Sequence, residues 1–260
     1  MIDTRLETAL RAFHHTYGLV RSAFAYRLKP THHRRSCSFY REFLNPGDLA
    51  FDVGAHLGDR IAAFRAAGAR VVAVEPQPAV ATALRLLHGR DRSVTLVEAA
   101  VGAAPGTASM LVSARAPALS TLSPSWAEML AASDRFADVN WDERVEVAVT
   151  TLDALIRVHG MPAFTKIDVE GFEAEVLAGL SQALPCLSFG VMPAAPAIAL
   201  ACLDRLERLG TYEFNLSIGG SKRMLWPIWQ HRVELDAWLA KQDRDGPSGD
   251  VYARLRTSAF

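Results

Sequence analysis

Two patterns of apolar positions alternate along the first half of the chain. Apolar residues three or four positions apart are typical of helices, and short continuous apolar runs are typical of buried strands. These patterns predict strands at 49–53, 70–75 and 94–97 and helices at 57–67 and 78–88. Strands and helices in this order form a parallel sheet with right-handed crossovers. The pattern therefore predicts an α/β domain.

The first 45 residues have a different character. Apolar residues at helical spacing predict an amphipathic helix over 3–28, followed by a polar break at 29–35 and a short helix at 37–44. The segment carries eight Lys and Arg residues against three Asp and Glu residues. We expect a solvated N-terminal helical arm over 1–45, and contact with an anionic surface is the alternative. The domain itself is expected over 46–260.

The second half of the chain resumes the alternation after an interruption. Residues 113–143 are rich in loop signals, and such an insertion in an α/β domain predicts a lid or a wall of the substrate site. Adjacent strands at 212–218 and 223–228 predict a hairpin whose turn is Gly219-Gly220. The other predicted elements are strands at 108–112, 145–149, 163–168, 186–192 and 251–255, the last at a sheet edge, and helices from Thr151, after Asp168, at 197–209 and at 233–240.

Composition and charge narrow the function classes. Lys plus Arg and Asp plus Glu both total 28, and this balance argues against a general nucleic-acid binder. No uncharged run reaches the roughly 20 residues of a membrane span, and charged residues interrupt the apolar positions at the N-terminus, so neither a span nor a secretory signal is expected. The three cysteines lack metal-ligand spacing and fit a reducing compartment. We expect a cytoplasmic protein without a bound metal.

A glycine turn follows the first predicted strand. Asp52 ends that strand, and Gly54 and Gly58 bracket the turn, where a backbone without side chains can approach a ligand. Glu75 ends the second strand, about 20 residues further on, where a carboxylate can bind the hydroxyls of a ribose. A dehydrogenase would carry a glycine at position 56, but this chain has His56. The turn therefore favours S-adenosylmethionine, whose ammonium Asp52 can bind, over a nicotinamide cofactor.

Several motifs together resemble the FkbM family of S-adenosylmethionine-dependent methyltransferases, over about residues 40–192. They are Asp52-Val-Gly-Ala-His-Leu-Gly58, Val74-Glu-Pro-Gln77, Glu98-Ala-Ala-Val-Gly102, Thr151-Leu-Asp153 and Lys166-Ile-Asp-Val-Glu-Gly-Phe-Glu173. The resemblance implies a Rossmann-like class I methyltransferase sheet of seven strands, six parallel and one reversed, with helices on both faces. It also implies methyl transfer to a hydroxyl oxygen of a sugar, a glycolipid or polysaccharide unit, or a secondary metabolite.

The resemblance implies roles for individual residues in cofactor binding. Asp52, Gly54 and Gly58 would lie at the methionine part, together with Ala55 and His56 of the same turn. Glu75, followed by Pro76, would bind the ribose, and Glu98 and Ala99 would border the adenine. Asp168 and Glu170 would face the methyl group. His56 is a further candidate base, and packing within the turn is its alternative role.

Catalysis and acceptor binding are expected from two further groups of residues. Asp168 is the first choice as general base and Glu170 the second, with Lys166 as an electrostatic partner. A structural ion pair between Lys166 and Glu170 is the alternative. In the insertion, Ser120 and Thr121 are expected to contact the acceptor or the cofactor carboxylate, and hydrogen bonds within the turn are their alternative role. Trp126 is expected to wall the acceptor pocket, and packing in the core is its alternative role.

One departure from the family pattern bears on activity. Family members often carry an acidic residue after the strand at 186–190, where this chain reads Phe189-Gly-Val-Met-Pro193. The sequence therefore leaves two functions open. The first is an O-methyltransferase acting on a small-molecule or glycan acceptor, and the second is a catalytically weak relative that binds the cofactor or a glycan partner without turnover. A homodimer is one expectation for its assembly.

Overall fold

A computed structural model describes residue 18 and residues 30–256 of the protein, so the helix predicted over 3–28 lies almost wholly outside the described residues. The helices are α1 (Pro30–Tyr40), α2 (Asp59–Ala66), α3 (Pro78–His88), α4 (Pro124–Ala131), α5 (Leu152–His159), α6 (Glu173–Ala178), α7 (Pro196–Leu209) and α8 (Arg232–Leu239). The strands are β1 (Leu49–Val53), β2 (Arg70–Val74), β3 (Val94–Val97), β4 (Ala100–Val101), β5 (Gly106–Val112), β6 (Glu143–Thr150), β7 (Phe164–Ile167), β8 (Cys186–Val191), β9 (Tyr212–Ile218) and β10 (Gly249–Leu255). Within the described part of the chain, no helix is both long and apolar enough to cross a membrane.

Seven strands form the main sheet in the order β3-β2-β1-β7-β8-β10-β9. The pairs from β3 to β8 are parallel, and β10 runs antiparallel to both of its neighbours, β8 and β9. This sheet confirms the predicted Rossmann-like class I fold with one reversed strand. Because the parallel strands end at one edge, the turns after β1, β2 and β7 meet there.

The two faces of the main sheet carry separate hydrophobic cores. Successive residues of a strand point to opposite faces, so Phe51 and Val53 of β1 enter one core and Ala50 enters the other. The first core contains buried residues of α5, α6, α7 and α8, and the second contains those of α1, α2 and α3. Helices therefore cover both faces, and the strands are apolar on both sides.

A second sheet of three strands has the order β4-β6-β5. Met110, Val112 and Val147 form a small core on it together with Ala100. The insertion at 113–143 connects β5 to β6, which pair along their length in antiparallel register. The two strands thus hold both ends of the insertion beside the main sheet.

The predicted hairpin of 212–218 with 223–228 is wrong. The second segment runs beside β9 but forms isolated contacts, such as the hydrogen bond from Leu225 N to Leu216 O at 2.7 Å. Pro227 has no N–H to donate to a ladder, and the side chain of Asn215 binds the backbone of Trp226 instead. The full antiparallel partner of β9 is β10, which was predicted as an edge strand and lies inside the sheet.

The polar break predicted at 29–35 is also wrong, because α1 begins at Pro30 and continues through it. Proline is favoured in the first turn of a helix, where its missing N–H has no intrahelical partner to lose. The helix leads into an aromatic cluster in which Tyr40 lies edge-on to Phe64, with 4.8 Å between ring centroids. Phe43 stacks on Tyr252 of β10 at 5.4 Å. The end of the predicted arm is therefore part of the core.

Replacement of Phe164 by Ala is expected to lower the free energy of unfolding by about 3–5 kcal/mol, because the ring is fully buried and its removal leaves a cavity. The ring lies 5.1 Å from that of Phe43 and 6.3 Å from that of Tyr252. Urea unfolding followed by circular dichroism measures the change. The matched control is Leu86→Ala, whose side chain is 82% exposed and whose loss should change stability by less than about 0.5 kcal/mol. Equal stability of the two variants would contradict the role of the cluster.

Candidate active site

A first cavity opens at the carboxyl ends of β1, β2 and β7, where ligands bind in open α/β sheets. Its volume is about 960 Å³, including the open mouth. The turn after β1, the segment after β2 and the turn after β7 contribute most of its polar groups. The lining residues include Gly54, Ala55, His56, Arg60, Glu75, Pro76, Gln77, Ala99, Met110, Ser120, Leu122, Asp168, Glu170 and Phe172.

The glycine turn after β1 is fixed by β2 and β7. The amides of Gly54 and Ala55 both donate to the carbonyl oxygen of Val74, at 2.9 and 3.0 Å. Gly54 has a φ of +82°, and a side chain there would collide with the backbone of Asp168. Glycine is therefore required at this position by both conformation and space. His56, two residues later, also has a positive φ of +47°.

Glu75 is a buried carboxylate at the end of β2, with 3% of its surface exposed. Its Oε2 accepts a hydrogen bond from His56 N and its Oε1 accepts one from Gln77 N, both at 2.9 Å. Burial raises the pKa of Glu75 to about 7, although these two amides act in the opposite direction. The side chain is thus held firmly at the cavity and titrates near neutral pH.

Arg60 joins the ends of β1 and β7. Its guanidinium donates from Nε to Oδ1 of Asp52 and contacts Oδ2 of Asp168 through Nη1, both at 2.9 Å. It also donates to the carbonyl oxygen of Gly54 at 2.9 Å. Asp52 is fully buried, so burial raises its pKa, and the charge of Arg60 offsets part of that rise. Arg60 lines the cavity and forms an ion pair with Asp52, so it connects Asp52 to the cavity lining.

A second cavity, of about 1070 Å³ including open solvent, adjoins the first. Asp59, Arg60, Asp168 and Glu170 line both cavities. The second cavity is otherwise lined by residues of α4, α6, β8 and α7 and by the segments at 220–222 and 248–250. These lining residues include Trp126, Glu173, Gly190, Lys222 and Asp250.

Lys166 lies beneath this second cavity with 1% of its side chain exposed. Its Nζ lies 2.5 Å from Oδ1 of Asp250 and 4.0 Å from Oδ1 of Asp168. Burial alone would lower the pKa of Lys166, but the charges of the two carboxylates outweigh burial and raise it. The ion pair of Lys166 is therefore with Asp250, and the alternative pairing with Glu170 is not what the structure contains.

Glu170 belongs to a strained turn between β7 and α6. Its φ is +53°, in the left-handed region that non-glycine residues rarely adopt. Thr121 Oγ1 donates to the carbonyl oxygen of Glu170 at 2.6 Å, and Glu173 accepts from the amide of Val169 at 3.2 Å. Burial, followed by the charges of Asp168 and Glu173, raises the pKa of Glu170 well above its ordinary value. The turn is thus braced from the insertion and from α6.

The structure brings most of the residues singled out in the sequence to these two cavities. Those lining the first cavity are Gly54, Ala55, His56, Glu75, Pro76, Ala99, Ser120, Asp168 and Glu170, and Trp126 lines the second. Among the described lining residues there is no Asp52, Gly58, Glu98, Thr121 or Lys166. Glu98 points to Arg85, at 2.5 Å, and a side chain at Gly58 would collide with His88. Ser120 lines the first cavity, and its expected contact with the acceptor or the cofactor carboxylate stays a prediction.

Sequence reasoning missed several charged residues of the site. Arg60 follows the glycine turn by two positions, and its placement on the first turn of α2 could have identified it. Asp250 lies on β10, and no sequence pattern indicated that β10 enters the sheet beside β8. Within residues 18 and 30–256, no group of three or more His, Cys, Asp or Glu residues could hold a metal ion.

Comparison with known proteins assigns the chain to a family. The FkbM methyltransferase domain model matches residues 52–189, which is more than half of the 260-residue chain. No protein of curated function matches the sequence. Two solved structures resemble the fold: a precorrin-6y C5,15-methyltransferase from Geobacter metallireducens, at 13% identity and a TM-score of 0.42 over 85% of this chain and 86% of that one, and an O-methyltransferase from Bacillus cereus in complex with SAH, at 10% identity and 0.42 over 98% and 92%.

At TM-scores below 0.5 these two structures do not bear on the assignment, which rests on the domain match. The matched region begins at Asp52 and ends at Phe189, so it contains the glycine turn, Glu75 and the strained turn after β7. The sheet with one reversed strand agrees with the fold that the sequence resemblance implied. The protein belongs to the FkbM family of S-adenosylmethionine-dependent methyltransferases.

Proposed function

We propose that this protein transfers a methyl group from S-adenosylmethionine to a hydroxyl oxygen of a sugar, a glycan unit or another hydroxylated small molecule. The observation that carries the proposal is the junction of the two cavities. Asp168, Glu170 and Arg60 line both, so a donor in the first cavity and an acceptor in the second would meet at these side chains. Alignment of two reactants in this way is the main requirement of a displacement reaction.

The first cavity suits the cofactor in three respects. The carboxylate of Glu75 is placed to accept hydrogen bonds from ribose hydroxyls, and the bare backbone at Gly54 permits close approach. Apolar surface from Met110, Leu122 and Phe172 suits a purine ring. When bound, the cofactor supplies an electrophilic methyl group on a sulfonium. In this proposal Ala99 lies on the adenine side and Glu98, paired with Arg85, has no direct role.

The second cavity suits a polyhydroxylated acceptor. Asp168, Glu170, Glu173 and Asp250 supply carboxylate oxygens that can accept hydrogen bonds from hydroxyl groups. Trp126 adds an aromatic surface against which a sugar ring can pack. A cavity lined by several acceptors and one large aromatic side chain is therefore well matched to a sugar.

Asp168 is proposed to orient the acceptor hydroxyl. Burial would raise its pKa, but the charges of Lys166 and Arg60 outweigh burial and leave the pKa of Asp168 lowered. The carboxylate is therefore ionised and can accept a hydrogen bond from the hydroxyl. A carboxylate with a low pKa is a weak base, so it suits orientation better than proton removal.

Glu170 is proposed to take the proton of the hydroxyl as its oxygen bonds to the methyl carbon. Its raised pKa makes its ionised form a stronger base than an ordinary carboxylate. Because its pKa is raised, Glu170 is ionised and able to accept the proton only as the pH rises. This assignment reverses the order of preference given by the sequence, because the raised pKa of Glu170 depends on burial and neighbouring charges that a linear pattern does not contain.

Replacement of Glu75 by Gln is expected to weaken S-adenosylhomocysteine binding by roughly tenfold to a hundredfold, because hydrogen bonds to a charged acceptor contribute about 1.5–3 kcal/mol. Isothermal titration calorimetry measures the dissociation constant. The matched control is Glu98→Gln, which removes an exposed carboxylate outside the cavity lining and should leave binding unchanged. A larger loss in Glu98→Gln than in Glu75→Gln would contradict the assigned cofactor site.

The same binding should depend on pH through Glu75. The ionised carboxylate accepts hydrogen bonds from both hydroxyls and the protonated form does so less well, so affinity should fall as the pH drops below about 7, by up to roughly tenfold per pH unit. Calorimetry of wild type and Glu75→Gln across this range isolates the effect. The difference between the two proteins should shrink at low pH. A constant difference would mean that another group controls binding.

Replacement of Glu170 by Gln is expected to lower kcat by roughly 10²–10⁴-fold, the usual contribution of a general base, with S-adenosylhomocysteine affinity within about twofold of wild type. Activity is measured as S-adenosylhomocysteine released with a panel of sugars and glycans. In wild type the rate should climb with pH through the pKa of Glu170, and this dependence should be absent in Glu170→Gln. Asp168→Asn should raise the acceptor KM as well, because Asp168 orients the hydroxyl.

Glu175→Gln is the matched control, since this carboxylate lies on α6 two residues beyond Glu173 and is exposed. It should leave both kcat and KM unchanged. An unchanged kcat in Glu170→Gln would show that Glu170 does not accept the proton. Cofactor binding without methyl transfer to any acceptor of the panel would favour the alternative of a binding protein without turnover.

A further inference from the structure

Gly190 on β8 lines the second cavity, and its backbone does not require a glycine. It is not among the described glycines with positive φ. A Cβ atom built on it would lie 3.6 Å from Oδ1 of Asp168 and 3.7 Å from Oε1 of Glu173, which are ordinary contact distances. An alanine would therefore fit without strain. What the glycine provides is open space beside the two carboxylates.

A third carboxylate borders the same space. Asp250 on β10 is the direct antiparallel partner of Gly190 on β8. Side chains of directly opposite residues project from the same face of a sheet, with Cβ atoms about 4.5–5.5 Å apart. Asp250 accordingly lines the second cavity as Gly190 does. The open space therefore lies among carboxylates from β7, α6 and β10.

We propose that the space above Gly190 is a subsite that determines acceptor choice: it takes a hydrogen-bond-donating hydroxyl or amino group of the acceptor and excludes carboxylate and phosphate groups. The subsite rests on the proposed methyl transfer, because it adjoins Asp168 at the junction of the two cavities. It deepens that proposal by stating which part of an acceptor the protein selects and which residue makes room for it.

The balance of charges around the space supports the exclusion of anions. Asp59, Asp168 and Asp250 line the cavity beside two cations, Arg60 and Lys222. Glu170 and Glu173 line it as well, and their raised pKa values reduce their negative charge at neutral pH. Arg60 is already bound to Asp52 and Asp168, and the buried Lys166 to Asp250. Burial and the charge of Asp168 raise the pKa of Glu173 to about 7, in keeping with a site where further negative charge is unfavourable.

The steric part of the proposal is tested by filling the space. Gly190→Leu should weaken acceptor binding by roughly tenfold or more, since unsuitable volume in a specificity pocket has effects of this size, and Gly190→Ala should have a smaller effect. S-adenosylhomocysteine affinity should stay within about twofold of wild type in both. Gly106→Ala is the matched control, because a Cβ atom there has no neighbour within 4 Å and the residue lies outside both cavity linings.

The chemical part is tested with methyl glucoside and two probes that each change one of its groups: methyl glucosaminide, with an amine in place of the 2-hydroxyl, and methyl glucuronide, with a carboxylate at carbon 6. Saturation-transfer NMR titrations use the full-length protein saturated with S-adenosylhomocysteine. The glucoside and the glucosaminide should bind, and the glucuronide should bind at least roughly tenfold more weakly, because like charges placed together cost several kcal/mol. Binding of the first two should be lost in Gly190→Leu and kept in Gly106→Ala.

Three results would overturn the subsite: equal binding of the glucuronide, unchanged binding in a folded Gly190→Leu variant, or no binding of any probe to the cofactor-loaded protein. Calorimetry with S-adenosylhomocysteine on the same samples separates these from a failure of the proposed function. Loss of cofactor binding in the wild type would defeat the methyltransferase proposal itself. Normal cofactor binding together with any of the three results would defeat the subsite alone.

Discussion

The candidate site depends on one guanidinium, that of Arg60. An ionised carboxylate as deeply buried as Asp52 is unfavourable unless it is paired and hydrogen-bonded. Arg60 supplies the pairing and at the same time binds the carbonyl oxygen of Gly54 and the carboxylate of Asp168. Asp52 lies on β1, Gly54 in the turn after it, and Asp168 directly after β7. A single side chain therefore fixes the glycine turn relative to the end of β7.

The same principle governs the second buried cation. Lys166 would be costly in the middle of a sheet without Asp250 and Asp168 around it. Asp168 is therefore held between two cations, and its carboxylate stays ionised, whereas Glu170 and Glu173 have no cation of their own within ion-pair distance among the described residues. Two carboxylates of one turn thus differ in pKa, and the division of roles proposed for them rests on this difference.

Sequence periodicity predicted the parallel half of the sheet because each of those strands is a short, mostly apolar run next to its own helix. It failed where contacts are distant in sequence. The insertion of β10 between β8 and β9 depends on pairing across about 30 to 70 positions. The placement of Glu98 depends on the direction of one exposed side chain, which turns toward Arg85. Glu75 was predictable because the spacing from a glycine turn to the next strand end is set by the βαβ unit itself. Asp250 was not, since its importance comes from the partners that folding brings to it.

The insertion is hydrogen-bonded directly to the turn that contains Glu170. A non-glycine residue in the left-handed region, such as Glu170, costs of order 1–3 kcal/mol and persists where its surroundings hold it. The hydroxyl of Thr121 provides one such constraint by donating to the carbonyl oxygen of Glu170. Thr121 is itself fixed, because it exchanges two backbone hydrogen bonds of 2.9 Å with Leu111 of β5. These three bonds connect the insertion to the turn after β7, so the conformation of Glu170 depends on the placement of the insertion.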